Sequence, residues 1–236
     1  MKNGSNAVRP PSGKNPLDPN SFRIDRLEQH TALEAAPRLL GQTLVRVTED
    51  GEIRARIVET ESYGGVLDKA SHAFGGKLTN RTQVMFGVGG SSYIYLIYGM
   101  YNCLNIVTGQ EGDPQAVLIR AIQPLTEADQ ELMTSYRGIT SRKTADLSGG
   151  PGKLCRALRI DKSLNGIRMD QRSGPLYLEE AAPLPDASIM MGRRINITYA
   201  EEYAQAPWRF FIKDNAYLSV KDKLAVPYQS DALWNF

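Results

Sequence analysis

Glu59, Glu61 and Tyr63 alternate within the run RIVETESYGG, residues 56–65. In a β-strand every second side chain shares a face, so this spacing aims two carboxylates and a phenol the same way. On the wall of a cleft such a face does general acid–base work; elsewhere it is an ordinary solvated sheet face. Carboxylates two positions apart in a strand stand about 7 Å apart at Cα, a separation compatible with a glycosidase-type pair. His72 stands in the loop KASHAFGG, where it serves either as a hydrogen-bonded structural residue or as part of a site.

A second chemistry-bearing stretch carries no charge at all. Between Thr82 and Gln110 there is no Asp, Glu, Lys or Arg, yet Tyr93, Tyr95, Tyr98 and Tyr101 crowd its middle, SSYIYLIYGMYNCLN. A membrane span needs about 20 predominantly apolar residues, and the glycines, serines and asparagines of this stretch interrupt any such run. The pattern is instead a hairpin, with strands Tyr93–Ile97 and Tyr101–Val107 around Gly99. Parity groups Tyr93, Tyr95 and Ile97 on one face and Tyr101, Cys103, Asn105 and Val107 on one face of the return strand. Tyr95 and Asn105 then line one concavity, with Tyr98 and Met100 as an apolar wedge at its rim. These tyrosines either fill a core or stack on something flat. The target that suits a wedge beside a polar pocket is a stack of nucleobases, where each aromatic contact contributes about 1–3 kcal/mol.

The elements that must position these residues read as follows. A helix is predicted over Thr31–Leu40, ahead of Gly41. Strands follow at Thr43–Thr48 and Ile53–Tyr63 around the turn Glu49–Glu52, then a loop over Asp68–Arg81 with a short helix near Lys69–Phe74. Beyond the hairpin come a strand over Gln115–Ile122 and helices over Glu127–Tyr136 and Pro151–Leu158. Short strands are predicted at Leu176–Glu179, Ile195–Tyr199, Trp208–Ile212 and Tyr217–Val220. Strands with a few peripheral helices make a single α+β domain around a curved, mostly antiparallel sheet with a protruding β-hairpin. Residues 1–20, rich in Pro, Asn, Gly and Ser, read as a flexible arm ahead of a domain over 21–236.

Composition narrows the partners. The chain has 236 residues, 42% hydrophobic and 23% charged, with a net charge of +2, which suits one soluble domain. Its charge is uneven: residues 137–172 hold nine Lys or Arg against three Asp, either a phosphate-backbone footprint or a balanced solvated face. Two cysteines, Cys103 and Cys155, and two histidines do not suit a structural zinc site. Both cysteines sit in apolar patterns, as buried free thiols of a reducing compartment do. No apolar secretory segment opens the chain, so an intracellular protein is expected. The glycines of FGVGGSS do not form a phosphate loop, and no flavin or other cofactor motif stands out.

Taken together, RIVETESY, SHAFGG, TNRT, VMFG, YIYLIYGMYNCLNIV, AVLIRAIQPL, GGPGKLCRALRI and PWRFFI, in order from about Leu39 to about Val220, resemble the alkyladenine (3-methyladenine) DNA glycosylase family. The resemblance implies an enzyme that flips a damaged purine from duplex DNA and hydrolyses its N-glycosidic bond, without cofactor, as a monomer. It implies that Glu61 activates the attacking water and that Arg120 helps hold it. Tyr63 would stack on one face of the base, with His72 and Tyr95 against the other, and Asn105 would obstruct the 2-amino group of normal guanine. Tyr98 would plug the gap in the DNA, flanked by Met100, while Thr79, Arg81 and Lys153 would lie on the phosphate side. Gly89-Gly90 stands where family members often carry Pro-Gly, a departure expected to loosen the approach to the hairpin. No lysine stands out as a Schiff-base nucleophile, which points to a monofunctional glycosylase. The residues alone also fit a non-catalytic nucleic-acid-binding module or a hydrolase of free nucleosides.

Overall fold

The computed structural model describes residues 22–141 and 143–234. The arm expected over 1–20 lies outside the described residues, as does Arg142 of the basic segment. Nine strands form one sheet in which every pairing is antiparallel. They are β1 (Thr43–Thr48), β2 (Gly51–Tyr63), β3 (Ser92–Ile97), β4 (Tyr101–Thr108), β5 (Gln115–Pro124), β6 (Leu176–Glu179), β7 (Ile189–Gly192), β8 (Arg209–Ile212) and β9 (Val226–Pro227). The order is β3-β4-β5-β2-β8-β7-β9, with β1 joining β2 to β6. Among the described residues four α-helices pack at the periphery: α1 (Ala32–Leu39), α2 (Glu127–Arg137), α3 (Thr144–Ser148) and α4 (Pro151–Ala157). This is the α+β architecture expected from the sequence.

The 13-residue β2 organises the sheet. Its first half pairs with β1, its second half with β8, and β5 runs along its other edge. The register against β5 shifts on both sides of Glu59, a bulge that re-aims side chains where strict alternation would have continued. Beyond it, one row of facing residues crosses five strands: Tyr93, Asn105, Leu118, Glu61 and Arg209. The helices cover the sheet over a core that includes Leu44, Ile57, Leu104, Ile119, Leu154 and Phe210, all inaccessible to solvent. Capping boxes at Thr31/Glu34 and Thr126/Asp129 start α1 and α2, satisfying N–H groups that the first helical turn leaves unpaired.

The protruding hairpin forms as expected, with Tyr93 opposite Asn105, Tyr95 opposite Cys103 and Ile97 opposite Tyr101. Its turn closes through Met100 N to Ile97 O at 3.1 Å, and both central residues have positive φ, 53° at Tyr98 and 68° at Gly99. A tyrosine in that conformation is costly, and it leaves the ring projecting from the tip. Tyr98 and Met100 are 72% and 68% exposed.

Three expected elements are different. Ile195–Tyr199 is not a strand: the Ile195 N–H is taken by a carboxylate and Asn196 has φ 60°, so the chain turns into helical turns over Thr198–Gln205. Tyr217–Val220 is a loop because its polar groups serve buried side chains, Ser219 N–H donating to Glu59 and Val220 O accepting from Arg209. The helix expected near Lys69–Phe74 is reduced to a turn at Phe74–Gly76, broken by Gly75 at φ 69°. The short β7, which pairs with β8, carries too little alternation to be read from sequence.

The Gly89-Gly90 segment is held tightly. Gly89 N donates to Gly109 O at 3.0 Å and Gly90 N to Val107 O at 2.8 Å, so the expected loosening is absent. A Cβ on Gly89 would stand 2.8 Å from Glu28 N, a backbone atom that cannot step aside. Gly89→Ala is expected to lower stability by about 2 kcal/mol, measured by urea denaturation.

Candidate active site

A cavity of about 670 Å³ opens between the hairpin, the end of β2 and the loop at Ile195. Tyr63, His72, Tyr95, Tyr98, Asn105, Arg120 and Lys153 all line it, so residues spread over ninety positions of sequence converge on one space. Glu61, Thr79, Arg81 and Met100 do not line it.

Beneath this cavity lies a dry charge cluster. Glu59, Glu61 and Arg209 are fully buried and Arg120 is 7% exposed. Arg120 spans the two carboxylates, with Nε 3.0 Å from Glu59 Oε1 and Nη1 3.2 Å from Glu61 Oε1. Glu59 is bound on both oxygens. Its Oε1 accepts from Arg120, from Arg209 Nε at 2.8 Å and from Ser219 Oγ at 2.7 Å, and its Oε2 from Ser219 N at 2.6 Å. Burial pushes the Glu59 carboxyl up, but Arg120, Arg209 and Ser219 outweigh it and hold the group below the usual carboxylate range. It therefore stays ionised, and its commitment to Arg120, Arg209 and Ser219 makes it an anchor of the cluster and disfavours a glycosidase-type pair of Glu59 with Glu61.

Glu61 keeps spare capacity. Its Oε1 accepts from Ile195 N at 2.7 Å and its Oε2 from the Tyr63 hydroxyl at 2.8 Å. With the Arg120 ion pair these occupy three of the roughly four acceptor sites of a carboxylate. Arg120 itself, raised above its ordinary value by Glu61 and Glu59 against burial, is permanently charged. The pairing compensates the Glu61 carboxylate in a place where an isolated charge would be prohibitively costly.

Two aromatic walls rise from this base. One is Tyr63, whose phenol is kept neutral by burial and by the adjacent Glu61 charge. The other is Tyr95 with His72, their ring centroids 4.5 Å apart and nearly perpendicular. Behind Tyr63 the guanidinium of Arg194 stacks at 4.9 Å and forms a buried pair with Asp68, Nη2 to Oδ1 2.9 Å. Behind the second wall Arg81 stacks over Tyr95 at 4.7 Å and reaches His72 Nε2 with Nη2 at 3.2 Å. A guanidinium only donates, so His72 Nε2 accepts and Nδ1–H donates to the Tyr93 hydroxyl at 2.9 Å. Burial and the nearby Arg81 charge lower the His72 pKa to about 4.

Asn105 is clamped, its amide nitrogen donating to Tyr93 O at 3.0 Å and Cys103 O at 3.4 Å, which leaves its amide oxygen to present. Both cysteines are buried free thiols, as expected. Of the basic segment, Arg137, Lys153 and Arg156 flank the cavity, while Arg159, Arg168 and Arg172 pair with carboxylates elsewhere. Lys153 is half-exposed and pairs with Asp146 at 3.0 Å. Thr79 is exposed and its loop is closed by reciprocal bonds with Thr82. Sequence reasoning missed Arg194, Asp68, Ser219 and the exposed Tyr199, which lines the cavity mouth. Arg209 lay inside the PWRFFI motif without a role assigned to it.

A family model described as methylpurine-DNA glycosylase matches residues 26–216. The chain belongs to the methylpurine-DNA glycosylase family. It is 47% identical over 196 residues to a protein of Desulfitobacterium hafniense, covering 80% of this chain and 94% of that one. Identity to a Clostridium botulinum protein is 45% over 194 residues, covering 80% and 95%. With a Bacillus thuringiensis protein it is 44% over 193 residues, covering 80% and 94%. All three relatives carry the provisional name 3-methyladenine DNA glycosylase. The chain is thus a DNA glycosylase, an N-glycosyl hydrolase of DNA repair. Among the described residues no helix is long and apolar enough to cross a membrane.

The His72 environment has a consequence for stability. Its folded pKa lies below the unfolded value, so the unfolded chain takes up a proton first as pH falls from 6.5 towards 4. The resulting loss, up to about 3 kcal/mol, is absent above that window and complete below it. His72→Gln is expected to flatten this part of the stability profile, read as the difference between wild type and variant in denaturation at pH 7 and pH 4.5.

Proposed function

We propose that this glycosylase extrudes a damaged purine from duplex DNA into the cavity, between Tyr63 and the Tyr95–His72 wall, and hydrolyses its bond to the sugar. The observation that carries the proposal is the Glu61 carboxylate, fully buried yet held by Arg120, Ile195 N–H and the Tyr63 hydroxyl with acceptor capacity left over. A module that only bound DNA would gain nothing from such a charge, which repels phosphate.

In this scheme Glu61 accepts a proton from a water as its oxygen bonds to the sugar C1′. The C1′–N bond breaks and its electron pair leaves with the base. The developing positive charge on the sugar is stabilised by the same carboxylate. Arg120 holds Glu61 in place through their ion pair and orients the water. Alkylated bases such as 3-methyladenine and 7-methylguanine leave as neutral molecules. Hypoxanthine and 1,N6-ethenoadenine leave as anions unless a proton reaches the ring nitrogens, so the slot must supply a donor for them. Asn105, clamped in register at the cavity wall, is the group that obstructs the 2-amino substituent of guanine.

Tyr98, strained and exposed at the hairpin tip beside Met100, enters the space the base vacates and offsets part of the unstacking cost of a few kcal/mol. Lys153, with Arg137 and Arg156, tracks the phosphates. The product is an abasic site with the strand intact, since the scheme uses no amine nucleophile, and one copy of the chain suffices.

Duplexes carrying each lesion, treated with protein and then with alkali, report abasic sites directly; no cleavage of any of them by folded protein overturns the proposal. Glu61→Gln is expected to retain lesion-duplex binding and lose at least about 100-fold in single-turnover rate, with a melting temperature measured alongside. Tyr98→Ala is expected to weaken duplex binding by about tenfold, a loss of about 1–3 kcal/mol for one stacking contact, and to leave free-base binding unaltered.

A further inference from the structure

The two aromatic walls are not electrostatically equivalent. Each has a guanidinium close behind it, Arg194 at 4.9 Å from the Tyr63 ring and Arg81 at 4.7 Å from the Tyr95 ring. Neither guanidinium lines the cavity, so each sits on the outer side of its wall. Arg194 is fully buried and cancelled by a bidentate pair with Asp68. Arg81 has no carboxylate within 4.0 Å among the described residues; its contacts include the Tyr95 ring, His72 Nε2 and the Tyr93 side chain. One wall is neutral and the other carries an uncompensated positive charge.

That asymmetry bears on which bases the slot prefers, provided the slot takes a flipped base as proposed above. An aromatic ring attracts a cation through the negative charge on its faces. A guanidinium already stacked on the outer face of Tyr95 draws on that charge and adds direct repulsion across the ring. Two stacking layers put the Arg81 charge about 8 Å from a base in the slot, where unit charges repel by an amount worth about twofold in bulk water and about thirtyfold at a protein surface. Arg81 is exposed, so screening favours the lower part of that range. His72 adds no charge of its own, because its Nε2 is committed to accepting from Arg81.

We propose that Arg81 is a specificity-determining residue: its uncompensated guanidinium behind the Tyr95–His72 wall weakens the slot's hold on cationic alkylated purines relative to neutral lesions of the same size. Arg81 was expected on the phosphate side, and a backbone contact would act on every lesion alike. A wall charge acts on the ratio between lesions, and the ratio is the quantity to measure.

The experiment compares single-turnover excision of 7-methylguanine, cationic in DNA, with that of hypoxanthine, neutral in DNA, by wild type, Arg81→Gln and Arg81→Lys. Arg81→Gln is expected to raise the ratio of the two rates about fivefold, while Arg81→Lys, which keeps the charge, stays within about twofold of wild type. An unchanged ratio in Arg81→Gln overturns the proposal, and so does an equal loss for both lesions, the signature of a backbone contact. Affinities for the same two duplexes, measured in the Glu61→Gln background, test it without turnover. There the Arg81→Gln change must again favour the cationic lesion, and a constant affinity ratio is a second refutation. Failure of the wild type to excise either lesion would instead overturn the excision scheme, leaving the affinity ratio as the test of Arg81.

Discussion

The interaction on which the molecule depends is the bridge that Arg120 makes between Glu59 and Glu61. Two carboxylates on alternate positions of one strand, both without solvent, repel each other and forfeit hydration, a cost of several kcal/mol per ion. Arg120 from β5 and Arg209 from β8, the strands that flank the second half of β2, supply the compensating charge. The sheet order is what brings these residues together: exchange β5 or β8 for another strand and the cluster loses a partner. Breaking such a pair by removing one member costs about 3–5 kcal/mol, so the cluster ties the fold to the chemistry.

Within the cluster the two glutamates have separate tasks. Glu59 is bound by Arg120, Arg209 and Ser219 and acts as the anchor that holds Arg120 in place. Glu61 shares Arg120 but is held by the Tyr63 hydroxyl and the Ile195 N–H, from two residues that line the cavity. The bulge at Glu59 allows this division, since it shifts the register between the two residues. The walls above follow the same logic of charges placed behind neutral surfaces: phenols and an imidazole held uncharged, with guanidinium groups on their outer sides.

Much of the framework was legible in the chain. The hairpin, β2, β5, α1, α2 and α4 were predicted within a residue or two, because their alternation, caps and turn residues are local signals. The cavity-lining tyrosines were readable from parity in the hairpin, which is regular. Failures fell where backbone groups are consumed by remote side chains. Tyr217–Val220 has strand-like composition, yet Ser219 and Val220 answer to Glu59 and Arg209. Ile195–Tyr199 is likewise diverted by Glu61 and by the left-handed Asn196. Arg194 and Arg81 carried no signal of their stacking, because cation–π partners far apart in sequence obey no spacing rule.

The sequence by itself determined the elements, the family motifs and the residue types available for chemistry, since each is written in neighbours a few positions apart. Only the tertiary structure decided their division of labour. It settled that Glu59 is held by Arg120, Arg209 and Ser219 and Glu61 by Arg120, Ile195 and Tyr63, and that Arg81 stands behind a wall and not on the cavity surface. The physical reason is that charge compensation in a dry interior depends on distances across strands, such as the 3.0 Å and 3.2 Å spans of Arg120, and distances across strands exist only once the sheet has formed.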